Sequence, residues 1–160
     1  MKAHHFTTNL EWTGNTGAGT KSYTAYDRSH IFKAEGRPNI ECSSDAVFRG
    51  DKYKYNPEEL FLASLSSCHM LWYLHLCAEA GIIVTSYTDR TTGVLQENED
   101  GSGQFSEVVL HPSVTVTEES MVEKANALHH KANELCFIAR SCNFPVKHRP
   151  TCVAAAASST

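Results

Sequence analysis

The sequence has no run of lysines and arginines and no stripe of basic residues interleaved with aromatics; 14 basic side chains against 18 acidic ones leave a net charge of -4. A phosphate-tracking surface is thereby excluded, and with it a nucleic-acid partner. The N-terminal stretch MKAHHFTTNLEW lacks an apolar core and a small-residue cleavage site, so no secretory signal is read there and a cytoplasmic location is expected. No C-x2-C pair occurs among the six cysteines (42, 68, 77, 136, 142 and 152), which removes the commonest zinc and thioredoxin-like spacings. No internal repeat or linker divides the chain, so its 160 residues are read as a single domain, 1–160.

In a reducing compartment six cysteines do not make a structural disulfide framework, and a chain of this length does not need one. One stretch also lacks formal charge: Leu60 to Ala78 is long enough to cross a bilayer. A span would place Ser64, Ser66, Ser67, His69 and His75 in lipid, and its flanks carry Glu58, Glu59 and Glu79 instead of basic anchors. The stretch is therefore read as a central helix of a protein without a membrane partner, covered from several directions.

Local signals divide the chain into strands over 1–55, a central helix over 56–81, strands over 82–117, a second helix over 118–141 and a tail over 150–160. Glycines and Gly36-Arg37-Pro38 punctuate the first part, with KSYTAYDRSHIF as a strand-forming run and two or three antiparallel strands expected. The central helix has a sharp start and stop: Asn56 as N-cap, Pro57 at the first helical position, Glu58 and Glu59 at the positive end of the dipole, and Gly81 as C-cap. IIVTSYTDRTTGVL and QFSEVVLHPSVTVT read as a hairpin across QENEDGSG. In the second helix Met121, Ala125, Leu128, Ala132, Leu135 and Ala139 form a narrow apolar stripe bordered by Cys136. NFPVKHRPTC adds a last short strand, and the fold class is α+β.

Cys68 stands in SSCH, where polar residues interrupt an apolar helix. A lone buried cysteine is ordinarily a small inert hydrophobe. To reduce a peroxide it must be a thiolate that becomes a sulfenic acid, with a second thiol in reach to condense with it. If the helix runs unbroken from Pro57, Cys68 lies about three turns in, beyond the reach of the N-terminal dipole, and an arginine is needed to activate it. If instead the serines mark a break, Cys68 has a helix start of its own.

NPEELFLASLSSCH, followed 68 residues after its cysteine by HHKANELCFIARS, resembles the OsmC/Ohr family of organic hydroperoxide reductases. The Asn-Pro-Glu-Glu-Leu opening, the cysteine ten residues after Glu58 and the spacing between cysteines carry the resemblance. It implies an OsmC-like fold, with antiparallel sheets around long central helices in an intertwined homodimer whose sites lie at the subunit interface. It further implies Cys68 as the peroxidatic and Cys136 as the resolving cysteine, with Glu58 as the carboxylate that holds an activating arginine. That arginine is Arg49 in the favoured reading and Arg28 in the alternative. The substrate implied is an organic hydroperoxide and the reductant a dithiol of lipoyl type, with no bound metal, haem or flavin. Glu58 and Cys68 are about 15 Å apart along one helix, so one chain's glutamate or arginine is expected to complete the site around the other chain's cysteine. Many relatives have proline after the second cysteine; here Phe137 follows Cys136, and Cys142 is a substitute resolving thiol if the helix ends early.

Cys77 is too far along the helix from Cys68 for a disulfide and is read as packing, while Cys42 and Cys152 are incidental thiols. Among nine histidines, His69, His75, His129, His130 and His148 lie near cysteines, but no spacing matches a recurrent metal site. His129 and His130 are read as solvated or interface residues. Two other classes stay open beside the peroxidase: a non-catalytic protein that binds a small apolar ligand, and a cysteine hydrolase or transferase that needs an oriented histidine. Trp72, Tyr73, Phe61 and Met70 are candidate pocket residues or simply core.

Overall fold

The computed structural model describes residues 1–156; positions 157–160, the end of the expected tail, lie outside the described residues. Two compact units make up the chain, Met1–Leu60 and Phe61–Thr160.

In the first unit β1 (Asn9–Trp12), β2 (His30–Lys33) and β3 (Ile40–Cys42) form an antiparallel sheet in that order. Of the run KSYTAYDRSHIF only the final residues pair as a strand. Asp27 stops the rest: its carboxylate accepts the Ser29 N–H at 2.7 Å and the Ser29 hydroxyl at 2.6 Å, an Asx turn that competes with extended pairing. Gly14 packs against this turn, where a Cβ would meet the Asp27 carbonyl oxygen at 1.8 Å. After β3 a short 3-10 turn over Ala46–Phe48, capped by the Asp45 side chain, ends at Arg49 in the left-handed conformation, φ 64°.

The long helix α1 (Pro57–Glu79) opens and closes at the expected residues. Asn56 Oδ1 accepts the Glu59 N–H at 2.8 Å while its amide donates to Glu59 Oε1 at 2.9 Å, a reciprocal capping box. At the other end Gly81 has φ 72°, and Ile82 N–H donates to Cys77 O at 2.9 Å, the bond of a Schellman cap. Between these caps the helix is unbroken, so the serines do not give Cys68 a helix start of its own. By length and composition α1 resembles a membrane span. Its buried residues, Leu65, His69, Tyr73 and Cys77, recur every four positions, so within the chain one stripe is buried and not several faces. Leu71, on another face, stays 61% exposed.

Two sheets line the second unit. One joins β4 (Val84–Asp89), β7 (Pro112–Val116) and β9 (Thr151–Ala154); the other joins β5 (Thr92–Glu97), β6 (Gly103–Leu110) and β8 (Val146–His148). The expected hairpin is there, with β5 and β6 antiparallel from Thr92↔Val109 to Glu97↔Gly103. Each run nevertheless divides between the two sheets, at Arg90–Thr91, at His111 and at Arg149–Pro150. Asp89 holds this shared corner by accepting from His111 N–H at 2.7 Å, Thr91 Oγ1 at 2.6 Å and Ser66 Oγ of α1 at 2.5 Å. NFPVKHRPTC thus supplies β8 and the start of β9, each parallel to its neighbour, and part of the expected tail is strand.

The second helix differs most from expectation. A 3-10 turn over Glu119–Met121 leads into α2 (Val122–Leu135), and Cys136 then breaks the helix before α3 (Phe137–Arg140). Cys136 is extended (φ -67°, ψ 112°), and its sulfur accepts the Ala139 N–H at 3.4 Å, so the side chain caps α3 instead of continuing α2. Two apolar clusters complete the unit. Tyr73, Cys77, Val114, Val116, Ala125 and Ala132 anchor one; Leu65, Val108, Leu110 and Val146 anchor the other.

Candidate functional site

Cys68 lies midway along α1 and Cys136 at the junction of α2 and α3. Cys68 is partly exposed and Cys136 is buried. Although α2 breaks there, Cys136 is buried in step with Ala125, His129 and Ala132, and it lies beside Cys68. Burial pushes the Cys136 thiol up to about 11, the Ala139 N–H opposes this, and the neighbouring Cys68 thiol adds to the rise. All six cysteines are free.

Cys68 opens onto a groove of 340 Å³ lined also by Leu71, Trp72, His75 and Phe137. Phe137, which occupies the position of the resembled family's proline, is 67% exposed and meets Trp72 edge to face at 5.8 Å. Its ring forms groove wall directly beside the cysteine pair. His75 Nε2 lies 3.3 Å from Glu79 Oε1, one turn further along α1. Of the candidate pocket residues Trp72 lines the groove, whereas Tyr73 and Phe61 belong to the two apolar clusters.

The candidate arginines belong to the first unit, where Arg28 and Arg49 line one 230 Å³ cavity with Thr16, Thr24, Ala25, Tyr26 and Asp27. Arg28 is fixed: its guanidinium lies over the rings of Tyr23 and Tyr26, 4.3 and 4.0 Å from their centroids, and donates to the carbonyls of both at 2.5 Å. Arg49 is exposed. Among the described residues neither arginine is ion-paired with Glu58, which is partly buried in the first turn of α1.

Of the remaining cysteines, Cys42 and Cys77 are buried and Cys142 and Cys152 partly buried. Cys77 is 1% exposed in the first apolar cluster, as expected. Cys42, expected as an incidental thiol, is fully buried at the end of β3. Cys142 packs with the second cluster and donates to Ile138 O at 3.3 Å. Cys152 sits in β9 beside the first cluster.

A histidine cluster beneath the thiols is the part that sequence reasoning missed. His129, expected as solvated or interfacial, is fully buried, while His130 is exposed and pairs with Glu134 at 3.2 Å. His69 Nε2 and His129 Nδ1 are hydrogen-bonded at 2.9 Å, Tyr73 stacks on His129 at 3.9 Å, and His148 lies 5.8 Å from the His69 ring. Burial first, and then the neighbouring imidazoles, push His69 down to about 4 and His129 down to about 3. The signal was in the spacing: His69 falls between Leu65 and Tyr73 in steps of four, and His129 between Ala125 and Ala132 in steps of four and three. Among the described residues no group of three or more potential ligands is arranged to hold a metal ion.

Residues 49–150 match the OsmC-like protein family, and the chain belongs to that family. Its fold superposes on that of an OsmC-like protein of unknown function from Vibrio cholerae, with 31% identity over 92% of this chain and 99% of that one and a TM-score of 0.79. An organic hydroperoxide resistance protein from Elizabethkingia anophelis has the same fold at 22% identity, with TM-score 0.66 and coverage of 97% and 100%. So does the organic hydroperoxide resistance protein OsmC from Legionella pneumophila, at 18% identity, with TM-score 0.62 and coverage of 94% and 98%. No curated protein sequence matches the chain. Within this fold α1 is the long central helix.

Proposed function

We propose that the protein is a cytoplasmic thiol-dependent peroxidase that reduces organic hydroperoxides. The observation that carries this reading is the placement of Cys68 on an apolar groove with Cys136 buried beside it. The Cys68 thiolate attacks the terminal peroxide oxygen, the O–O bond breaks, and an alcohol leaves once protonated, with Cys68 left as a sulfenic acid. The Cys136 sulfur then attacks the Cys68 sulfur, water leaves, and a disulfide forms; an external dithiol of lipoyl type returns both cysteines to thiols. The apolar walls, Leu71, Trp72 and Phe137, favour a hydroperoxide with a hydrocarbon body over hydrogen peroxide.

The same reading assigns Arg49, or Arg28 in its place, to thiolate stabilisation and Glu58 to holding that arginine, both supplied by the partner chain of a homodimer. The bare face of α1 around Leu71 supports a partner chain there. The variant Cys68→Ser should abolish hydroperoxide consumption. Cys136→Ser should consume one equivalent, leave a sulfenic acid trappable by dimedone, and fail to turn over with a dithiol. Full turnover by Cys68→Ser would overturn the assignment.

A further inference from the structure

A buried polar tie joins α1 and α2. His69 follows Cys68 directly, and His129 stands seven residues before Cys136; they are 1% and 0% exposed. His69 Nε2 meets His129 Nδ1 at 2.9 Å, with the rings 5° from parallel and their centroids 5.2 Å apart. In a neutral pair one nitrogen donates and the other accepts. The outer nitrogens, His69 Nδ1 and His129 Nε2, have no partner among the described residues. The contact is therefore the one hydrogen bond each ring makes.

We propose that the His69–His129 hydrogen bond is a positioning latch, which holds α1 and α2 in the register at which Cys68 and Cys136 join. It rests on the peroxidase reading and concerns its second step. A disulfide needs its sulfurs about 2.05 Å apart and its Cβ atoms about 3.8 Å apart, so a small slip of one helix along the other removes the reactive geometry. Six residues of helix carry α2 from His129 to Leu135, about 9 Å, and Cys136 follows directly, so a slip at His129 passes along that stiff rod to the cysteine. The side chains flanking His129 on its buried face are Ala125 and Ala132, whose methyl groups set no register of their own. A buried imidazole left without its partner is costly, so the register that joins the two nitrogens is preferred over its neighbours. Neither histidine touches the reacting atoms; both act through the helices.

The test exploits which ring nitrogen is used. An asparagine places its amide where His Nδ1 stands and a glutamine where Nε2 stands. His129→Asn therefore keeps the latch and His129→Gln breaks it, whereas His69→Gln keeps it and His69→Asn breaks it. Closure of the Cys68–Cys136 disulfide is followed by quenching and peptide mapping after two oxidants. An organic hydroperoxide reports the full sequence. Diamide, a diazene that adds one thiol across N=N and is displaced by the second thiol as the hydrazine, reports closure alone.

We expect the latch-keeping variants to close within about threefold of the wild-type rate with diamide and the latch-breaking variants at least about tenfold more slowly. Equal rates for His129→Asn and His129→Gln would overturn the latch, because a space-filling role does not distinguish the two nitrogens. Should His129→Gln fail to fold, the His69 pair makes the same comparison. If hydroperoxide leaves the wild-type thiols intact, the peroxidase reading falls while the diamide comparison still decides the latch. If hydroperoxide is consumed and the diamide rates are equal, the latch alone falls.

Discussion

Cys136 neighbours Cys68 with the same sulfur that caps α3, taking the Ala139 N–H at 3.4 Å. One atom thus caps a helix and faces the second thiol. The two cysteines are unequal in access, since Cys68 lines the groove and Cys136 is 1% exposed. In the proposed reaction this inequality sets the order of events: the accessible sulfur meets the hydroperoxide, and the buried one meets only the product on Cys68.

Alkylation reads the same inequality without any substrate. With Cys136 pushed up to about 11 by burial, little of it is thiolate at pH 8. N-ethylmaleimide at that pH should modify Cys68 at least about tenfold faster than Cys136. Peptide mapping over a time course checks this, and comparable rates would remove the assigned order.

The histidine cluster makes folding sensitive to mild acid. His69 and His129 are held near about 4 and about 3 against an ordinary 6.5, and burial lowers His148 as well. Between the folded and unfolded values the unfolded chain binds more protons. Stability is therefore full above 6.5 and is lost as pH falls toward 4, by up to about 1.4 kcal/mol per pH unit for each histidine. Urea midpoints at pH 7.5, 6.0 and 5.0 should fall in that order, and a midpoint unchanged across this window would contradict the buried neutral cluster.

Asp89→Ala removes the acceptor that joins His111 N–H, Thr91 Oγ1 and Ser66 Oγ at the sheet corner. Three donors lose their partner, for a cost of about 3 kcal/mol, and Asp89→Asn, which keeps one acceptor oxygen, should lose less. Ser66 is two residues before Cys68, so the alanine variant should also slow disulfide closure. Denaturant midpoints and closure rates measured together check both effects.

What the sequence made legible was local. Asn56, Pro57 and Gly81 act within a few residues of the helix they delimit, and the structure places them as their chemistry demands. The α+β order and the hairpin across QENEDGSG follow from alternation and turn residues in the same way. The break at Cys136 was hidden because no proline or glycine marks it; a thiol capping Ala139 looks like any residue of an apolar stripe. The corner at Asp89 depends on donors from Ser66 and His111, 23 residues before and 22 after it, which no local window joins. His69 and His129 lay on the buried spacing of their helices, yet their partnership spans 60 residues.

The central claim is that Cys68 and Cys136 form one redox pair driven by hydroperoxide. Free thiols titrated before and after one equivalent of an organic hydroperoxide such as cumene hydroperoxide test it most directly, followed by mapping of any new bond. The account predicts the loss of two thiols for each peroxide consumed and a single Cys68–Cys136 disulfide. Peroxide left unconsumed with all six cysteines still free, or a disulfide that omits Cys68, would contradict it.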